Sequence, residues 1–146
     1  MTTINQILQN KEKQVWTVTP EATVFEALEL LADKNIGAAP VVEDGRLVGI
    51  FSERDYARKV ILHGRSSRHT PVRDVMTGQV FTIRPQEDMN RCMSLMTDKH
   101  IRHLPVLDND EQLIGIISIG DVVKAIIAEQ QVLIDHLQDY ITGAHG

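Results

Sequence analysis

Gly49-Ile50-Phe51-Ser52-Glu53-Arg54-Asp55 returns 66 residues later as Gly115-Ile116-Ile117-Ser118-Ile119-Gly120-Asp121. Each copy reads as a buried apolar strand that enters a helix through Ser-x-x-Asp. A helix N-terminus directs free backbone N–H groups and the positive end of the helix dipole outward, which favours anions. The aspartate falls about one helical turn, roughly 5 Å, past the serine and can accept two sugar hydroxyls. A single Ser-x-x-Asp is first of all a helix cap with an acidic first turn. Its duplication in register is what points beyond capping.

Working outward, the repeat extends over nearly the whole chain. Ile4, Ile7 and Leu8 have helical spacing and lead into a polar loop, Gln9 to Gln14. Val15 to Val18 reads as a short strand ending at Pro20. Thr23-x-x-Glu26 is a capping box that opens a helix to about Lys34, with Val24, Ala27, Leu28 and Leu31 on one face. Ile36 to Val42 is a strand interrupted by Pro40. Asp44-Gly45 is a hairpin turn, and Leu47 to Ser52 is the returning strand. Glu53 to Leu62 closes the unit as a helix stopped by His63-Gly64.

After a polar stretch the plan restarts. Val72 to Met76 echoes Ile4 to Leu8, Val80 to Pro85 echoes Val15 to Pro20, and Met89, Met93 and Met96 replace Val24, Leu28 and Leu31. Ile101 to Leu107 repeats Ile36 to Val42. The last helix is longer, from about Asp121 to about Ile141. The fold class expected is α/β (α+β): two β-α-β-β-α repeats packed sheet to sheet about a pseudo-twofold axis, because one such unit cannot bury its apolar face alone. The division expected is 1–64 for the first repeat, 65–71 for a linker, 72–128 for the second repeat and 129–146 for a helical extension and tail.

Composition narrows the function classes. A hydrophobic fraction of 42% permits a core, and only 4% aromatic residues means that aliphatic side chains fill it. The net charge of −5 gives no support to nucleic-acid binding or to an anionic membrane. The one cysteine, Cys92, excludes an internal disulfide and reads as a buried thiol in a reducing, cytoplasmic setting, with a redox role as the minor alternative. No apolar run reaches the roughly 18 residues of a membrane span, and Met1 to Gln14 lacks the apolar stretch of a secretory signal. His63 and His69 have no helical partner histidine, so no metal site is expected. His100, His136 and His145 read as surface residues. Arg65, Arg68 and His69 read as a solvated basic linker or as a contact for polyphosphate or a partner. No nucleophile elbow, His-Glu-x-x-His or phosphate-binding loop is present, so an enzyme is not expected.

Three paired features together resemble a tandem of cystathionine-β-synthase (CBS) domains: Val18-Thr19-Pro20 with Ile83-Arg84-Pro85, Ile36 to Pro40 with Ile101 to Pro105, and the two Gly-x-x-Ser-x-x-Asp stretches. His63 to Ser67 followed by Val72 to Thr77 is similar to small stand-alone CBS-pair proteins of bacteria and plant organelles. The resemblance implies an adenosine-ligand sensor for AMP, ADP, ATP, NAD or S-adenosylmethionine. It implies one pocket of Ser52, Arg54 and Asp55 with the backbone of Arg102, His103 and Leu104. The mate would use Ser118, Asp121, Ile116 and Arg102, with Gly37, Ala38 and Ala39 lining adenine. His103 reads either as a ligand contact or as a residue filling the cleft. Gly37 stands where the second repeat has Arg102, and Gly120 where the first has Arg54, so the two sites are expected to differ. A homodimer is expected to cover apolar positions of the two terminal helices, among them Ile127, Leu133, Ile134 and Leu137. A pure interaction module that binds no ligand is the alternative.

Overall fold

Thr23 and Thr3 each accept a hydrogen bond from the backbone three residues on, and the glutamate or glutamine there reaches back to the cap amide. These reciprocal caps start α1 (Ile4–Gln9) and α2 (Val24–Lys34) where the sequence places them. The computed structural model describes residues 2–143. After α2 come β1 (Ala38–Glu43) and β2 (Arg46–Ser52), joined by Asp44 at φ 51° and Gly45 at φ 77°. Two positive φ angles in a row are those of the tight hairpin turn that Asp-Gly favours. The second repeat supplies α4 (Met89–Lys99), β3 (His103–Leu107), β4 (Leu113–Ser118) and α5 (Ile119–Thr142). Between the repeats lies α3 (Glu53–Asp55), continued by a π-helical stretch, Tyr56–Ile61.

The two sheets are equivalent antiparallel hairpins. Ser52 lies opposite Ala38 in one and Ser118 opposite His103 in the other, and each carries a bulge at the matching position. The strands expected over Val15–Val18 and Val80–Pro85 are reduced to single parallel bridges, Val18 to Val41 and Ile83 to Val106. Pro20 and Pro85 follow two residues later and offer no N–H, so pairing cannot extend in that direction. The helix expected from Glu53 to Leu62 is also altered. Leu62 and Arg65 donate five residues back, to Ala57 and Val60 carbonyls, winding this stretch more loosely than an α-helix.

The apolar residues form two cores, and each is completed by the segment that precedes the other repeat. Ile4 and Ile7 pack with Ile83, Met89, Cys92, Leu104 and Ile117 of the second repeat. Val72 and Val75 pack with Val24, Ala27, Val41 and Phe51 of the first. These leader segments also cap the opposite helices: the Thr70 carbonyl accepts from Val24 N–H at 2.9 Å, and the Thr2 carbonyl from Met89 N–H at 2.9 Å. α1 therefore buries its apolar residues, contrary to the exposure expected for it, and Met76 packs against the first core. The stretch 65–71 is exposed at Arg65, Ser66, Arg68 and His69, as a solvated linker would be, yet its side chains are tethered. Arg65 pairs with Asp74, Arg68 stacks on Phe25 at 3.8 Å, and Ser66 meets His69 Nδ1 at 3.0 Å.

Close approach of the leaders accounts for Gly49 and Gly115. A Cβ on Gly49 would lie 2.5 Å from Met76 Sδ, and one on Gly115 2.5 Å from Leu8 Cδ2, both far inside van der Waals contact. α5 behaves differently from the rest: from Ile127 to Gly143 every residue is exposed. His145 lies outside the described residues.

The exchange makes a sharp forecast. Ile4 is fully buried although it is near the N-terminus, so Ile4→Ala should cost about 2–5 kcal/mol in urea unfolding. Ile141→Ala, at an exposed position, should change stability by less than about 0.5 kcal/mol. Equal effects would contradict the exchange.

Candidate functional site

The two serines that end β2 and β4 are the N-caps of the helices that follow. Ser52 Oγ accepts from Asp55 N–H at 3.1 Å, while Asp55 Oδ2 accepts from Ser52 N–H at 2.9 Å. The second copy repeats this at 3.2 Å and 2.8 Å between Ser118 and Asp121. The cap therefore serves first to fix the carboxylate, at the mouth of a helix whose dipole favours negative charge. Asp55 is buried and Asp121 nearly so, with side-chain exposure of 12% and 14%.

Beyond the cap the two aspartates have different partners. Asp55 Oδ1 accepts from Thr77 Oγ1 at 3.2 Å and lies 3.3 Å from Lys59 Nζ, one turn further along the same helix. Asp121 Oδ2 lies 2.6 Å from Lys11 Nζ, which also donates to the Ile116 carbonyl at 2.6 Å. Lys11 comes from the loop after α1. Burial alone would raise the Asp121 carboxyl, but the Lys11 ammonium and the Ser118 donors more than offset it and hold it below the usual carboxylate range.

The other expected residues fall into groups. His103, opposite Ser118, is half-buried among Lys11, Asp121 and Arg102; burial lowers its pKa, so the ring is neutral near pH 7. Gly37 faces that ring across the seam between repeats: a Cβ there would lie 3.3 Å from His103 Nε2. The Gly37 and Arg102 carbonyls play matching parts, accepting from Glu53 and Ile119 N–H at 3.1 and 2.9 Å. The side chains of Ala38, Ala39 and Leu104 are buried, so only their backbone can meet a ligand. Arg54 crosses the seam and donates to the His100 carbonyl at 3.1 Å. Arg102 is exposed. Cys92 is fully buried and its thiol is pushed up to about 11 by burial, then by the charges of Asp121 and Glu87, which disfavours a redox role.

Lys11, Lys59 and Thr77 were not foreseen as site residues. Lys59 stands four residues past Asp55 and was visible as an ion pair along a helix. Lys11 and Thr77 reach their aspartates only because the leaders cross over, which spacing alone does not reveal. Two hollows open beside Lys11. One, of about 800 Å³, lies between α1 and α5 and includes Asp121 and Lys124. The other, of about 340 Å³, is bordered by Val15, Gly115 and Ile116. A third, of about 530 Å³, adjoins Gly37, Glu53 and Tyr56 in the first repeat.

The family model described as CBS domain matches residues 11–62 and 72–128. The chain belongs to the CBS domain family. This CBS pair is 41% identical over 154 residues to the mitochondrial CBS domain-containing protein CBSX3 of Arabidopsis thaliana, covering 99% of this chain and 74% of that protein. A solved protein with CBS domains from Burkholderia ambifaria matches with a TM-score of 0.85 and 48% identity, over 88% of this chain and 96% of that one. Two CBS neighbours were solved with adenosine compounds. CBSX2, in complex with AMP, has a TM-score of 0.74 at 26% identity and covers 88% of this chain and 98% of that one. The CBS domain pair of protein MJ0100, in complex with 5′-methylthioadenosine and S-adenosyl-L-methionine, has a TM-score of 0.77 at 25% identity and covers 86% of this chain and 99% of that one. Among the described residues no helix of this CBS pair is long and apolar enough to cross a membrane.

The depressed Asp121 carboxyl gives a pH forecast. A folded-state value below the unfolded 3.8 stabilises the native protein above that value, and the contribution is lost as pH falls below 3.8 through the folded value. Asp121→Asn should lower stability at pH 7 and flatten the acid limb of a urea-unfolding series between pH 5 and roughly pH 2. An acid limb as steep as that of the native protein would contradict the assignment.

Proposed function

We propose that this CBS pair is a non-enzymatic regulatory protein that binds an adenosine ligand between its repeats. The observation that carries the reading is the pair of capped aspartates, Asp55 and Asp121, each held at a helix start within a family whose neighbours CBSX2 and MJ0100 were solved with AMP, 5′-methylthioadenosine and S-adenosyl-L-methionine. A carboxylate accepts the two hydroxyls of a ribose, and a helix N-terminus favours a phosphate or carboxylate beside it. Ser52, Arg54 and Asp55 with the backbone of Arg102, His103 and Leu104 form one site; Ser118, Asp121, Ile116 and Arg102, with Gly37, Ala38 and Ala39 beside adenine, form the other. Arg54 and Arg102 are the arginines available to an anionic ligand.

Binding across the seam biases the relative setting of the repeats, by no more than the ligand's difference in affinity for the two settings. α5 is the natural output element. Its start carries Asp121, and from Ile127 onward it exposes Ile127, Leu133, Ile134 and Leu137, a stripe suited to a second copy of the chain.

A thermal-shift series with AMP, ADP, ATP, NAD and S-adenosylmethionine tests the reading. A ligand at about 100 times its Kd adds about 2.7 kcal/mol, a rise of several degrees in Tm. The rise should shrink in Asp55→Ala or Asp121→Ala, measured against each variant's own baseline. No shift for any of these ligands, on protein stripped of nucleotide, would favour an interaction module instead.

A further inference from the structure

Resting on the adenosine-ligand reading above, we propose that Lys11 is the anion-selecting residue of the second site. Among the described residues its ammonium is held by two acceptors, Asp121 Oδ2 and the Ile116 carbonyl, both at 2.6 Å. Asp121 Oδ2 at the same time accepts from Ser118 N–H at 2.8 Å. A ribose diol that spans both oxygens of this carboxylate therefore meets Lys11 at Oδ2. Lys11 is half-buried, with its side chain 27% exposed, and borders both hollows, so its ammonium can turn toward a ligand that enters them.

What the ligand carries beyond its ribose then decides the outcome. A nucleotide brings a phosphate that replaces the lost carboxylate as the partner of Lys11, so one charge-assisted contact is exchanged for another. A neutral nucleoside breaks the ion pair and offers nothing in return. In this partly exposed pair, losing the carboxylate leaves the ammonium with the Ile116 carbonyl and solvent, a modest cost that a phosphate offsets.

The arrangement belongs to the second site alone. In the first, the cation beside the aspartate is Lys59, four residues along the same helix, and the matching position in α5 is Ala125. Lys11 in turn corresponds to Gln79 after the second leader, so the first site has no leader lysine. The two sites are thus distinguished by the route through which their cation arrives.

Isothermal titration with AMP and with adenosine tests the assignment, in an Asp55→Asn background that keeps an oxygen for the Ser52 N–H while removing the carboxylate of the first site. With Lys11 present, AMP should bind more tightly than adenosine. In Lys11→Met the AMP-to-adenosine preference should fall about tenfold, partly because adenosine binds better once its competitor is gone. Lys11→Arg should retain the preference, which guards against a folding defect in the methionine variant. Binding of both compounds with an unchanged ratio in Lys11→Met overturns the selectivity role and leaves the adenosine reading intact; a Lys11 that serves only to tie α1 to α5 gives that result. No binding of either compound to any variant, nor to the native chain, removes both.

Discussion

Ile4 and Val72 are fully buried, and each completes the core of the repeat that it does not precede. A two-stranded hairpin with its helices cannot cover its own apolar surface, and here the missing piece is borrowed across the seam. The rest of the molecule follows from that exchange. It brings Thr77 to Asp55 and Lys11 to Asp121, it requires glycine at positions 49 and 115, and it makes the Thr70 and Thr2 carbonyls the acceptors for the first amides of α2 and α4. Removing either leader would open a core and take a partner from a capped aspartate together.

The same exchange explains why two nearly superimposable caps differ chemically. Ser52 and Ser118 hold their aspartates with matching geometry, yet the neutralising lysine comes from within the helix in one case and from the opposite end of the chain in the other. The first is joined to the second leader, since Lys59 also donates to the Val75 carbonyl at 3.1 Å and Thr77 to Asp55 at 3.2 Å. The second ties the loop after α1 to the start of α5, an element whose far half has no cover within the monomer. A ligand that acts on Asp121 therefore acts on a contact that spans more than a hundred residues of sequence.

Much of this was legible beforehand. Periodicity and capping boxes located the helices, Asp44-Gly45 located the first hairpin, and the repeated Gly-x-x-Ser-x-x-Asp placed both caps. What spacing could not convey was which core each leader joins. Ile4 to Leu8 has the same pattern whether it packs on its own repeat or on the other, and a lysine in a polar loop looks solvated until the fold delivers it to a carboxylate. The short strands at Val18 and Ile83 were overstated for a plainer reason: their apolar alternation was sound, but the prolines two residues on limit each to one bridge. The basic stretch around Arg65 and Arg68 is exposed as a solvated linker is, and its intramolecular partners, Asp74 and Phe25, are not indicated by spacing.

On the adenosine-ligand reading proposed above, binding at the caps is felt by the exchanged leaders. Hydrogen exchange of the native chain with and without saturating AMP reads it directly, since local opening reports the stability of each segment. Slowed exchange is expected at the Ser52–Asp55 and Ser118–Asp121 turns together with residues 8–14 and 75–79, with little change in the far half of α5 of the monomer. Protection confined to the caps, with both leaders unchanged, would contradict it.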